Sequence, residues 1–127
     1  METGKFLNAL VVDDNPLILM IVSEIVEEAG FRVLTARSGD EAMNTLEVQG
    51  PSTTILFSDV KMPGAMDGLM LAQTVAKRWP HIKIILASGH ASPEFQDIPE
   101  NATFIEKPFT QASLLYLLEQ TKPLAFV

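Results

Sequence analysis

Five polar residues stand just past the ends of short apolar runs, and this placement constrains the fold more than any other feature. Asp13 and Asp14 follow Ala9-Leu10-Val11-Val12, and Asp59 follows Thr54-Ile55-Leu56-Phe57-Ser58. Ser88 follows Ile82-Lys83-Ile84-Ile85-Leu86-Ala87, and Lys107 follows Thr103-Phe104-Ile105-Glu106. Runs nearly continuous in Val, Ile and Leu, alternating with helical segments, imply an α/β fold with a doubly wound parallel sheet covered on both faces. All strand C-termini of such a sheet lie on one edge, and ligands bind there, where the strand order reverses. Three carboxylates, a hydroxyl and an ammonium would meet at that edge. Such a cluster is equipped to bind a divalent cation and a phosphoryl group.

The punctuation between the runs supports the alternation. Strands are expected over 6–12, 31–36, 54–58, 82–87 and 102–105. A helix is expected over 16–29, with Asn15 as cap, Pro16 at the first helical position and Gly30 past the end. Shorter helices fit 40–48, with Ala42, Leu46 and Met43 facing inward, and 69–78, with Leu71, Ala72, Val75 and Ala76 on one face. Gly50-Pro51-Ser52 breaks the first of these and Pro80 ends the second. A last helix capped by Thr110 runs through 120, with Leu114, Leu117 and Leu118 inward. Residues 92–100, with Pro93 and Pro99, are poorly patterned.

A chain of 127 residues supports one core, here expected to span about 6–120 of a single domain. A net charge of −7 argues against nucleic acid as a direct partner, because phosphate backbones need clustered Lys and Arg. The absence of cysteine excludes disulfides and thiol catalysis. The longest apolar run, 17–22, is too short to span a bilayer, and 1–5 lacks a signal-peptide pattern. A soluble, cytoplasmic protein without membrane insertion is expected.

Adjacent carboxylates such as Asp13 and Asp14 repel, and burial raises the cost. A hard cation such as magnesium removes the conflict by taking oxygen ligands. An acidic pair alone is more often a loop start or a helix cap. Asp59 has two possible jobs, metal ligand or nucleophile attacking phosphorus to give an acyl phosphate. Ser88 and Lys107 at the same edge suit phosphoryl oxygens and favour the second. Taken singly, Ser88 would be a turn residue before Gly89, and Lys107 a salt-bridge partner of one aspartate. Lys107-Pro108 is a bond type that can be cis in tight turns. His90 belongs at the rim of the site, and His81 reads as exposed.

Four fragments in order carry a resemblance: Val11-Val12-Asp13-Asp14-Asn15-Pro16, Asp59-Val60-Lys61-Met62-Pro63-Gly64 with Met66-Asp67-Gly68, Leu86-Ala87-Ser88-Gly89-His90, and Phe104-Ile105-Glu106-Lys107-Pro108-Phe109. Together they resemble response-regulator receiver domains of two-component, His-Asp phosphorelay signalling, over about 6–120. The resemblance implies a flavodoxin-like five-stranded parallel sheet in the order 2-1-3-4-5 between two helical layers. It implies Asp59 as phosphoacceptor, Asp14 as direct metal ligand, Asp13 as a ligand mainly through water, and the Lys61 backbone carbonyl as a further ligand. The metal would be magnesium, with manganese as a substitute. Ser88 would hydrogen-bond the phosphoryl group, Lys107 would pair with one of its oxygens, and Phe104 would be the aromatic switch.

The implied role is a signalling receiver that promotes its own phosphorylation and dephosphorylation, and not an enzyme in the ordinary sense; a histidine kinase or histidine phosphotransfer protein would be the donor and an unknown protein the output partner. A monomer or a weak phosphorylation-dependent dimer is expected, in a stand-alone form. The alternatives are a phosphate sink or relay, or a receiver segment of a larger hybrid kinase or regulator. A phosphohydrolase with an aspartate nucleophile wants a second acid two residues on, where this chain has Lys61. Two departures from the family stand out. The loop after Asp59 has an extra residue, and the stretch from Ser88 to Lys107 is short, so the helix between the fourth and fifth strands should be short or irregular. Residues 91–101, with Phe95 and Ile98 as anchors, should be the most mobile and the most responsive to phosphorylation. The first helix should turn Ile18, Ile21, Val22 and Ile25 to the sheet and leave Leu17 and Met20 partly exposed for a kinase; a self-association contact or simply a thicker core is the alternative.

Overall fold

The structure, a computed structural model, describes residues 7–89 and 98–122. Its elements are β1 (Leu7–Val12), α1 (Pro16–Glu28), β2 (Phe31–Ala36), α2 (Gly39–Gln49), a 3-10 turn (Gly50–Ser52), β3 (Ile55–Asp59), α3 (Gly68–Arg78), β4 (Lys83–Ser88), β5 (Ala102–Glu106) and α4 (Gln111–Thr121). The five strands form one parallel sheet in the order β2-β1-β3-β4-β5. This is the order that the motif resemblance implied.

Strand pleating sorts the side chains into two cores. Ala9, Val11, Phe57, Ile85 and Ala87 point to one face, where α1 and α4 cover them with Val22, Val26, Leu114 and Leu118. Leu10, Val12, Leu56, Ile84 and Leu86 point to the other, under Ala42, Leu46, Leu71, Ala72 and Val75 of α2 and α3. Burial on both faces explains why β1, β3 and β4 read as unbroken apolar runs.

The helices start where side chains can satisfy their free N–H groups. Asn15 Oδ1 accepts from the amides of Leu17 and Ile18, Ser38 Oγ from Glu41 and Asp67 Oδ1 from Met70. Thr110 and Ser113 form a reciprocal capping pair at α4. Gly30, with φ +104°, follows the end of α1 in the left-handed region that favours glycine.

Three expectations need correction. In α1, Ile21 is 43% exposed, while Leu19, Val22, Ile25 and Val26 are buried, so the inward face is rotated from the expected one. The helix packs against both the sheet and α4, and its stripe follows that groove. In β2, Arg32, Leu34 and Thr35 are exposed, because β2 is an edge strand with a neighbour on one side only. Leu117, expected on the inner stripe of α4, is half-buried and packs against the core under α1 and α4. Asp59 and Ser88 are the last residues of their strands, since pairing with β4 and β5 continues through them. The expected short or irregular helix over 92–100 falls mostly outside the described residues, as do His90 and Phe95. Among the described residues no helix is long and apolar enough to cross a membrane.

Candidate functional site

The C-terminal edge of the sheet gathers the predicted residues. Asp13 follows β1 directly, and its N–H donates to the Ala36 carbonyl at 3.1 Å, extending the pairing with β2. The Asn15 N–H donates to Asp13 Oδ1 at 2.9 Å, so the turn that starts α1 also fixes this carboxylate. Asp13 Oδ2 is buried with no hydrogen-bond partner among the described residues. Asp59 closes β3 opposite Ala87, and Ser88 closes β4 opposite Glu106. The Lys107 N–H donates to the Ser88 carbonyl at 2.8 Å, which ties the end of β5 to the end of β4. The Lys107–Pro108 bond is cis.

One oxygen from each of Asp13, Asp14 and Asp59 can be chosen so that all lie within 4.8 Å of one another. Lys107 Nζ lies 2.9 Å from Asp59 Oδ1, with the lysine side chain 32% exposed. Burial holds the Asp13 carboxyl above the usual carboxylate range. The Asn15 amide opposes that shift, Asp59 adds to it, Lys107 opposes it, and Asp14 adds to it. Among the described residues, three carboxylates face one ammonium, and one buried carboxylate oxygen has no hydrogen-bond partner. An all-oxygen donor set of this charge fits a hard divalent cation.

Of the remaining residues singled out in the sequence, Lys61 and Phe104 lie toward this edge and His81 does not. Lys61 lies two residues past β3 and is exposed. Phe104, half-buried in β5, pairs with Leu86 and lines a cavity of about 250 Å³ with Ser88, Ile105 and Glu106. His81 is exposed as expected, on the opposite edge of the sheet, with Nε2 3.0 Å from the Gly50 carbonyl oxygen.

Three features escaped the sequence reading. Ser58 Oγ donates to the Asp59 carbonyl at 2.9 Å inside the core. Gly68 N–H donates to the Val60 carbonyl at 2.8 Å and closes the loop that leaves β3. An apolar groove of about 430 Å³ runs between Ile18, Ile21 and Val22 of α1 and Lys107, Pro108 and Phe109. The apolar pair Pro108-Phe109 straight after the site lysine was the available signal for the groove. Nothing local signals the Ser58 bond.

The model of the response regulator receiver domain matches residues 9–119. The nitrogen assimilation regulatory protein NtrX of Azorhizobium caulinodans is 33% identical over 115 residues, 87% of this chain and 25% of that protein. Sensor kinase CckA of Brucella abortus is 36% identical over 108 residues, 83% of this chain and 11% of that protein. The chain thus spans a quarter or less of the length of these relatives. A chain of the CheX–CheY–BeF3–Mg2+ complex from Borrelia burgdorferi superposes with a TM-score of 0.82 at 27% identity, covering 95% of this chain and 90% of that one. Motifs, sheet order and relatives converge: the chain belongs to the response regulator receiver domain family of two-component signalling.

Proposed function

We propose that this receiver accepts a phosphoryl group on Asp59 from a phosphohistidine of a histidine kinase or phosphotransfer protein, and that the modification changes what it binds. The observation that carries the reading is the pairing of Asp59 with Lys107 at 2.9 Å beside Asp13 and Asp14. A nucleophilic carboxylate needs counter-charge for the oxygens it will carry, and no other described ammonium pairs with Asp59. An Asp59 oxygen attacks phosphorus, the donor's P–N bond breaks, and the imidazole leaves with that electron pair. Phosphoryl transfer depends mainly on alignment and on neutralising the charge on the equatorial oxygens.

Asp13, Asp14, Asp59 and the Lys61 carbonyl would hold magnesium, or manganese in its place. When bound, the cation supplies positive charge to the carboxylates and the phosphoryl oxygens. The presence of Mg2+ and BeF3 in the Borrelia burgdorferi complex supports this assignment. Lys107 would exchange its bond to Asp59 for one to a phosphoryl oxygen, and the Ser88 hydroxyl would donate to another. The cavity beside Ser88 gives the Phe104 ring space to rotate inward as Ser88 moves. Such a modification shifts a two-state equilibrium that a partner reads. We take residues 1–127 as a single receiver unit; the output partner follows from whatever chain carries it.

Acetyl phosphate with magnesium tests the core of the reading without a partner. One acyl phosphate per chain, abolished by EDTA, is the expected result; labelling that ignores EDTA would refute the metal-assisted site.

The donor would approach over α1. Leu17 and Met20 are 58% and 53% exposed on α1, the helix whose Ile18, Ile21 and Val22 line the groove that Lys107 also lines. Exposed apolar surface beside a charged site suits a helix of the phosphohistidine protein. Leu17→Glu is expected to slow transfer from such a protein about tenfold, equivalent to ~1.4 kcal/mol. Labelling by acetyl phosphate should not change. Equal slowing with both donors would rule out docking.

A further inference from the structure

Two successive helices begin on a buried glycine, and both glycines face the same loop. Gly39 is the first residue of α2, after the Ser38 cap, and Gly68 is the first residue of α3, after the Asp67 cap. Neither has a positive φ, and helical backbone favours alanine over glycine. Backbone conformation therefore does not account for them, but space does. A Cβ on Gly68 would overlap the Asp59 carbonyl oxygen and lie 2.9 Å from Val60 Cα. A Cβ on Gly39 would lie 2.5 Å from the Met66 carbonyl oxygen, with Met66 Cγ and Cβ at 2.8 Å and 2.9 Å.

The loop over 60–67 is thus held from two sides. The Gly68 amide closes its base on the Val60 carbonyl at 2.8 Å. Its far end is seated on α2 through Met66, which packs with the core shared by α2 and α3. Between these points the chain turns through Gly64 at φ +105°. The geometry points to Gly39 as a positioning residue for the phosphoacceptor loop: the close seat of Met66 on α2 sets where the backbone from Asp59 to Lys61 comes to rest. This rests on the reading of Asp59 as phosphoacceptor and of the Lys61 carbonyl as a metal ligand.

An added methyl at Gly39 meets backbone as well as side chain, so the loop must lift. A displacement of about 1 Å at a reacting centre can cost roughly a hundredfold in rate, and a partly relaxed loop should cost about tenfold. Gly50 provides the control. It lies at the other end of α2, and a Cβ there would overlap the Trp79 indole, a clash at the edge of the sheet away from the site.

The test uses the full chain as Gly39→Ala, Gly50→Ala and Met66→Ala. It measures magnesium affinity by calorimetry, labelling by acetyl phosphate at saturating magnesium, and exchange of the Gly68 amide without metal. Gly39→Ala should label about tenfold more slowly, bind magnesium several-fold more weakly and expose the Gly68 amide to faster exchange. Gly50→Ala should lower the thermal midpoint and leave magnesium affinity and labelling as in wild type. Met66→Ala truncates the seat without adding a clash and should move the same three readouts in the same direction by less. It decides the matter if Gly39→Ala does not fold. Wild-type behaviour of Gly39→Ala and Met66→Ala, or an equal loss of magnesium affinity in Gly50→Ala, would overturn the proposal. If wild type itself neither binds magnesium nor labels, the site reading fails, and the Gly68 amide still reports whether Gly39 and Met66 hold the loop.

Discussion

Asp59→Asn yields a folded domain that takes no phosphoryl group from acetyl phosphate or from a phosphohistidine donor. The amide keeps the shape of the carboxylate but loses its charge and its nucleophilic oxygen. The loss should exceed about a thousandfold, the scale seen when a covalent nucleophile is removed. Folding should survive, because two consequences oppose each other. Lys107 loses its partner at 2.9 Å, while Asp13 and Asp14 lose a like-charged neighbour. The net effect on stability should stay within about 1 kcal/mol. Intact mass after labelling, with hydroxylamine to cleave any acyl phosphate, reads the result. Wild-type labelling of the variant at another residue would remove Asp59 from its assigned role.

The acidic cluster should make the domain's stability depend on metal. A site with a dissociation constant of about 1 mM adds roughly 1.4 kcal/mol at 10 mM magnesium, or roughly 4–6 °C in thermal midpoint for a domain of this size. Asp14→Ala should abolish that gain and Asp13→Ala should reduce it. Asp13→Asn should behave differently in EDTA, raising the midpoint by roughly 3–5 °C. The folded domain binds a proton at Asp13 more readily than the unfolded chain does, since burial raises its pKa. The protonated form is therefore favoured in the fold, and that advantage is lost as pH rises through the raised value. Once ionised the group works against folding, and the neutral amide removes that penalty. It also keeps an oxygen for the Asn15 amide. Calorimetric melting with and without magnesium tests both statements. A lower midpoint for Asp13→Asn in EDTA would mean that burial of the Asp13 charge, with Asp59 and Asp14 beside it, does not dominate.

Most strand and helix limits were legible to within one or two residues, because β1, β3 and β4 are buried on both faces and Asn15, Gly30 and Thr110 punctuate the chain. Two of the strand ends that shifted by a residue are instructive. Asp59 and Ser88 are polar, so local pattern places them outside the strand, yet their backbones keep pairing with β4 and β5. Hydrogen bonding across the sheet is indifferent to side-chain polarity. Ile21 shows the converse limit. In Leu17-Ile18-Leu19-Met20-Ile21-Val22 every position is apolar, so no period exists to mark the inner face. The groove between the sheet and α4 selected Leu19, Val22, Ile25 and Val26.

The sequence by itself determined the alternation of strands and helices, and hence a parallel sheet with its acids, hydroxyl and lysine on one edge. Those features are written in local periodicity, caps and the positions where apolar runs stop. Only the tertiary structure decided that Lys107 pairs with Asp59, that Asp13 keeps one buried oxygen without a partner among the described residues, and that Met66 seats on Gly39. These are meetings between residues 27 to 48 positions apart or are set by what surrounds them, and distance in space follows from sheet order, crossover and packing density. No local pattern encodes a separation of a few ångströms between elements whose spacing is settled by the cores on both faces of the sheet.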